Sequence, residues 1–175
     1  MSHTLAEAVR RTIRDVPDFP KPGILFKDIT PVLSSPRLLQ DVVNWTAGTY
    51  AGVDVDLVVG IESRGFIFGA AVAPQIHAGF VPLRKPGKLP WTTRQVSYDL
   101  EYGSATLQVH EDAIQTGDRV VIVDDLLATG GTAVAAVDLV RQLGGHVVGC
   151  CFVVELDFLE GRARLDCPVV SLVNY

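Results

Sequence analysis

A chain of 175 residues in which 48% are hydrophobic is long enough to fill one sizeable core. Its formal net charge of −5 argues against a general nucleic-acid or membrane-surface binder, because such proteins draw most of their affinity from a basic face. No apolar run approaches the ~20 residues of a membrane span, and no basic-then-apolar leader opens the chain, so a cytoplasmic protein is expected. Cys150, Cys151 and Cys167 are odd in number and lack C-x-x-C spacing, which points to buried free thiols.

Leu5, Ala8, Val9 and Ile13 recur with the period of an amphipathic helix. Pro17, Pro20, Pro22 and Pro31, with Gly23, then rule out a regular element over most of residues 16–31. That stretch is expected to follow one extended path, an N-terminal strap with Phe19, Phe26 and Ile29 tucked into the core. Ser35 and Pro36 start a helix whose apolar side carries Leu38, Leu39, Val42, Val43 and Trp45. Residues 57–61 read as a buried strand that runs into Glu62-Ser63-Arg64-Gly65 and a helix over residues 66–73. In open parallel sheets ligands sit beyond the C-terminal strand ends. Arg64 there suits an anion, although by itself it would also suit a surface ion pair.

A third strand at residues 80–83 ends in Arg84, Lys85 and Lys88, three cations within five residues broken by Pro86 and Gly87. A mobile positive loop for a polyanion fits, and so does a solvated turn. β-prone segments at residues 94–97 and 105–109 flank Ser97-Tyr98-Asp99-Leu100-Glu101-Tyr102-Gly103 and suggest a hairpin-like flap.

The densest stretch is Val120-Val121-Ile122-Val123-Asp124-Asp125-Leu126-Leu127-Ala128-Thr129-Gly130-Gly131-Thr132. Four β-branched residues predict a strand covered on both faces, and residues 133–143 predict the helix after it. Between them, Gly130 and Gly131 let the backbone approach a ligand, and the helix start points N–H groups and partial positive charge at it. Two acids beside an anion site would repel the anion unless both belong to one ligand. A sugar phosphate resolves this: Asp124 and Asp125 accept from ribose hydroxyls, while Ala128, Thr129, Gly130, Gly131 and Thr132 hold its phosphate. A strand ending in two acids could otherwise simply cap a helix. No Gly-Lys-Ser/Thr or Gly-x-Gly-x-x-Gly pattern is present, which excludes a P-loop and a Rossmann fingerprint. Strands at residues 147–154 and 169–173 complete an alternating α/β pattern without long repeats or linkers.

This central stretch resembles the phosphoribosyl-pyrophosphate signature of type I phosphoribosyltransferases, in the form typical of the adenine-specific branch. The resemblance extends from Phe19 to Leu156. It implies one α/β domain over residues 1–175: a mostly parallel central sheet with helices on both faces, an N-terminal hood (approximately 1–35) and an inserted flexible β flap (approximately 84–105). It further implies transfer of a phosphoribosyl group from phosphoribosyl pyrophosphate to adenine, giving AMP and pyrophosphate in purine salvage. Phe-Pro-x-Pro-Gly-x-x-Phe-x-Asp-Ile-x-Pro is similar to that family's hood, so Phe26 is implied to stack on the purine and the backbone of Leu25 and Lys27 to read its edge. Leu156 is implied as the opposite wall, while an ordinary core leucine remains the alternative. Glu-Ser-Arg-Gly-Phe is similar to the pyrophosphate loop, although the family more usually has Asp where Glu62 stands. Ser-Tyr-x-Leu-Glu-Tyr-Gly is similar to the catalytic-loop motif, which assigns Glu101 to proton transfer and Tyr102 to support of the closed flap. Without that likeness Glu101 would be an unremarkable solvated acid.

Cleaving the bond from the anomeric carbon to pyrophosphate puts positive charge on the sugar and negative charge on the leaving group. Arg64, Lys85 and magnesium carried in with phosphoribosyl pyrophosphate would stabilise the latter, with no protein-held metal expected. The resemblance also implies a homodimer. Two rivals remain: the same fold acting on hypoxanthine or guanine, and a regulatory protein using the phosphoribosyl-pyrophosphate site as a sensor.

Overall fold

The computed structural model describes residues 2–99 and 104–175. Its centre follows from the β-branched runs. Strands β3 (Leu57–Ile61), β4 (Gly79–Leu83), β7 (Arg119–Leu127), β8 (His146–Glu155) and β9 (Val169–Asn174) form a parallel sheet in the order β4-β3-β7-β8-β9. Successive side chains of a strand face opposite sides, so each run of Val and Ile supplies two cores at once. On one face Val59, Ile61, Ile122, Cys150 and Phe152 meet Ala136, Leu139 and Val140 of α5 (Gly131–Gln142). On the other, Val58, Val121, Val123 and Val153 meet Val9 of α1 (Ser2–Thr12), Val42 of α3 (Pro36–Thr49) and Phe68 of α4 (Gly65–Val72). Helices therefore cover both faces, as expected of the fold. Val58, Val59, Val120, Val121 and Ile122 are fully buried, a gain of about 1.5–3 kcal/mol for each such side chain.

The helix starts read from the sequence are present. Ser35 Oγ accepts from the Leu38 N–H at 3.4 Å, and Pro36 opens α3 where no amide donor is needed. The central strand runs past its β-branched residues. It does not stop at Val123: β7 pairs with β8 as far as Leu127, with Asp124 opposite Phe152 and Leu126 opposite Val154. The two acids thus stand at the strand end, ahead of the turn.

The N-terminal stretch also differs. Its prolines border a hairpin: β1 (Arg14–Pro17) pairs antiparallel with β2 (Leu25–Asp28), and short α2 (Thr30–Leu33) follows. Pro17 ends β1, and Pro20 and Pro22 lie in the connection, so no ladder donor is lost in mid-strand. Asp18 Oδ1 accepts from the Gly23 N–H at 2.7 Å and ties that connection shut. Of the three side chains expected in the core, Ile29 is buried, whereas Phe19 is 51% exposed and Phe26 only partly covered.

The expected flap is a second hairpin, β5 (Thr93–Asp99) with β6 (Ser104–His110), paired from Thr93 opposite His110 to Asp99 opposite Ser104. Leu107 and Val109 anchor its base in the α5-side core. Arg84 pairs with Gln108 there, so the start of the basic stretch is fixed. Among the described residues no helix is long and apolar enough to cross a membrane.

Candidate active site

A cleft of about 410 Å³ opens beyond the C-terminal ends of β3 and β7, under the flap hairpin. Arg64, Lys85, Asp124, Asp125 and the turn from Ala128 to Thr132 all line it. The strand ends converge on one side of the sheet, so two segments about sixty positions apart in sequence share one cavity.

The turn is built on close backbone packing. Gly130 has φ of 82°, and a Cβ there would stand 2.6 Å from the Gly161 carbonyl oxygen. Both facts require glycine. Gly130 is the N-cap of α5, so the helix presents its first amides and positive end to the cleft. Thr132 Oγ1 donates to the Tyr98 hydroxyl at 3.1 Å, which links this turn to the flap. Arg164 donates from Nη1 to the Thr129 carbonyl at 3.0 Å and so ties the turn to the segment before β9.

The acids have unequal surroundings. Asp124 Oδ1 accepts from the Asp125 N–H at 2.8 Å, and the start of α4 presses so closely that a Cβ on Gly65 would meet the same oxygen at 2.8 Å. Burial, and then the neighbouring Asp125 charge, hold the Asp124 carboxyl well above the usual carboxylate range. Asp125 is the less exposed of the two, but Arg64 Nε donates to its Oδ2 at 2.5 Å. The Arg64 guanidinium also lies 5.6 Å from the centre of the Phe26 ring. Arg64 therefore bridges hood and strand end.

In the sequence Glu62 stands out only as a departure from the usual Asp. Its Oε2 accepts from the Lys85 N–H at 3.0 Å and from Arg84 Nε at 3.1 Å. Burial opposes its charge, but these contacts outweigh it and keep the carboxyl below its ordinary range. Glu62 thus fixes where the basic segment leaves β4. The Glu62–Ser63 peptide is cis.

The residues assigned to the purine lie outside that cavity lining. Leu25 is 50% exposed on β2. Lys27 Nζ meets Asp15 Oδ1 at 2.7 Å and lies 4.1 Å from the Tyr175 ring centre, so its side chain is engaged away from the cleft. Leu156 is partly buried against the α3-side core, with its N–H donating to Leu127 O at 2.9 Å. Phe26 touches Arg64, which does line the cleft. Glu101 and Tyr102 lie outside the described residues. The sequence alone points to no role for Tyr98, Phe152 or Arg164. Tyr98 sits inside a motif that the sequence did single out, whereas Arg164 meets Thr129 across 35 positions with no local signal. Among the described residues no three His, Cys, Asp or Glu side chains are grouped to hold a metal ion.

The phosphoribosyl transferase domain family matches residues 29–173. An adenine phosphoribosyltransferase of Acidobacterium capsulatum is 58% identical over 97% of this chain and 94% of its own length. One from Nitrosococcus oceani is 56% identical over 97% and 99%. The chain belongs to the adenine phosphoribosyltransferase family. Its fold agrees: the crystal structure of the enzyme from Thermoanaerobacter pseudethanolicus, 49% identical, superposes with a TM-score of 0.94 over 97% of this chain and 99% of that one. The Saccharomyces cerevisiae enzyme, solved with an imino-altritol bisphosphate and adenine, is 41% identical with a TM-score of 0.92, again over 97% and 99%. A flap hairpin, β5 with β6, accompanies the parallel sheet.

Proposed function

We propose that this family member transfers the phosphoribosyl group of phosphoribosyl pyrophosphate to adenine, giving AMP and pyrophosphate. The observation that carries this is the shared cleft: an α5 N-terminus, two strand-end carboxylates and the Arg64 guanidinium meet in one cavity. That set fits a phosphorylated sugar with an anionic leaving group. The α5 amides and Thr132 take the 5′-phosphate, and Asp124 and Asp125 accept from the ribose hydroxyls.

In the reaction a purine ring nitrogen bonds to the anomeric carbon as the bond to pyrophosphate breaks. Positive charge grows on the sugar, where the carboxylates soften it, and negative charge grows on the pyrophosphate, where Arg64 and Lys85 stand. Magnesium bound to the incoming diphosphate would neutralise part of that charge, and it belongs to the substrate. Glu101 takes up or relays the purine proton, and Tyr102 supports the flap while it excludes water. Holding base and sugar in line makes the attack effectively unimolecular, worth up to ~7–11 kcal/mol in well-oriented systems.

The purine is read by the hood. Among the described residues β2 pairs on one edge only, with β1. Alternate residues of a strand direct their N–H and C=O groups to the same edge, so Leu25 and Lys27, two apart, act together on one base. Phe26 stacks on its face, and Leu156 closes the slot. Residues 1–175 act as a single domain with the hood at approximately 1–35 and the flap at approximately 84–105, working as a cytoplasmic homodimer. Incubation of the purified protein with adenine, phosphoribosyl pyrophosphate and magnesium, with products identified by mass, tests the proposal. AMP and pyrophosphate in equal amounts are expected, and their absence would refute it.

A further inference from the structure

Away from the cleft, Cys150 and Cys167 bring their sulfur atoms to 3.6 Å. Cys150 lies in β8 and is fully buried, while Cys167 precedes β9 and is partly exposed, a correction to the expectation that all three thiols are buried. The sheet itself sets the approach. Cys150 pairs with Val169, and its N–H donates to the Pro168 carbonyl at 2.9 Å. A disulfide needs sulfurs about 2.05 Å apart, so the loop before β9 has to move by only about 1.5 Å to close one.

The two thiols are electrostatically unlike. Contact with Cys150 as a donor brings the Cys167 thiol down to about 7 against burial and the nearby Asp166 carboxylate, and the Arg141 guanidinium adds a smaller pull in the same direction as Cys150. Arg141 is held in place by Asp166, with Nη1 and Nη2 at 3.0 and 2.9 Å from its two carboxylate oxygens. The same contact, together with burial, keeps Cys150 protonated. Cys151 is the internal contrast. It points to the opposite core, where burial pushes it up to about 12.

We propose that Cys167 and Cys150 form a hydroperoxide-reactive thiol pair, Cys167 as the attacking and Cys150 as the resolving sulfur. The Cys167 thiolate attacks one oxygen of the hydroperoxide. The O–O bond breaks, water or an alcohol leaves with a proton, and Cys167 becomes a sulfenic acid. Cys150 sulfur then attacks Cys167 sulfur. The S–S bond forms, the S–O bond breaks, and hydroxide departs with the Cys150 proton as water. Two thiols are oxidised by two electrons and one hydroperoxide is reduced. A small dithiol reverses the change by exchange.

Cleavage after arginine leaves Cys150 and Cys151 in one peptide, so the test uses the full chain carrying Cys151→Ser, its folding checked by transferase turnover. The reduced protein is treated with an equimolar amount of hydrogen peroxide, alkylated, digested without reductant and weighed. The expected result is a cross-linked peptide pair joining Cys150 to Cys167, lost on treatment with dithiothreitol. With Cys150→Ser added, Cys167 should trap dimedone as a sulfenic acid. In the wild-type chain, Cys167 should react with peroxide at least about tenfold faster than Cys151. Persistence of both free thiols, cross-links between chains only, or equal reaction of Cys151 and Cys167 would overturn the proposal.

Discussion

Arg64 donates from Nε to Asp125 Oδ2 at 2.5 Å, and so joins the turn after β3 to the end of β7. A guanidinium has five N–H donors, so Arg64 can hold Asp125 and still donate to a diphosphate. Asp125 keeps its second oxygen for a ribose hydroxyl. Each side chain then orients the other. Asp125→Ala should cost about 1–3 kcal/mol, or roughly 5- to 150-fold, in kcat/KM for phosphoribosyl pyrophosphate. Arg64→Ala should cost at least as much. The double variant should lose less than the sum, by a coupling of about 0.5–3 kcal/mol. Additive losses measured by steady-state kinetics would mean that the two groups work independently.

The Thr132 hydroxyl donates to Tyr98, whose own O–H is left to point into the cleft that Tyr98 lines. Tyr98→Phe removes that donor from the phosphate's surroundings. The expected effect is a rise of about fivefold in KM for phosphoribosyl pyrophosphate, near 1 kcal/mol, with kcat within about twofold of the parent. A fall in KM would show that the hydroxyl pair competes with the phosphate.

These two contacts mark what the sequence did and did not disclose. The order of strands and helices was legible because the apolar runs have clear periods and the glycines and prolines bound them. The loop from Ala128 to Thr132 was legible because its chemistry is local. The extension of β7 beyond the acids to Leu127 was not, since continued pairing with Val154 and Glu155 of β8 decides it. The hood hairpin was hidden by proline content, although its prolines fall at Pro17 and in the connection, where a ladder tolerates them. The anchoring of Arg84 and Lys85 by Glu62, and of Thr129 by Arg164, depends on tertiary approach and has no sequence period.

Asp124 gives a stability prediction with a definite sign. Burial beside Asp125 raises its folded-state pKa, so the folded protein holds the proton after the unfolded chain has lost it. Stability from this group is full below the ordinary Asp range and falls as pH rises toward the raised value. Asp124→Asn should remove that decline and melt higher than the parent near neutrality, while phosphoribosyl-pyrophosphate use drops. Thermal melts from acid to neutral pH would contradict this by showing the same slope in both proteins.

Glu155 has the opposite sign. Arg162 donates to both of its oxygens, Nε at 2.9 Å and Nη2 at 2.5 Å, and holds the carboxyl below its ordinary value of 4.5 despite burial. The pair's stabilisation is present above that ordinary value and is lost as pH falls through the lowered one. Because Arg162 is half exposed, solvent screening limits the effect to about 1–2 kcal/mol, or about 2–8 °C in Tm for Glu155→Gln at neutral pH. The gap between variant and parent should close in acid, and a gap that stays constant with pH would remove the ion pair as its cause.

In the proposed reaction, hood and cleft together select adenine. Adenine presents an amino donor beside an unprotonated ring nitrogen, whereas hypoxanthine presents a carbonyl beside a ring N–H. A β2 edge that offers one carbonyl and one amide from Leu25 and Lys27 matches the first and leaves groups unpaired against the second. Mismatched buried groups of that kind can support discrimination of about 10⁴-fold. The direct measurement is kcat/KM for adenine and for hypoxanthine at saturating phosphoribosyl pyrophosphate and magnesium. A preference for adenine of about that size is expected; comparable efficiency for the two bases would show that the hood does not read the purine edge.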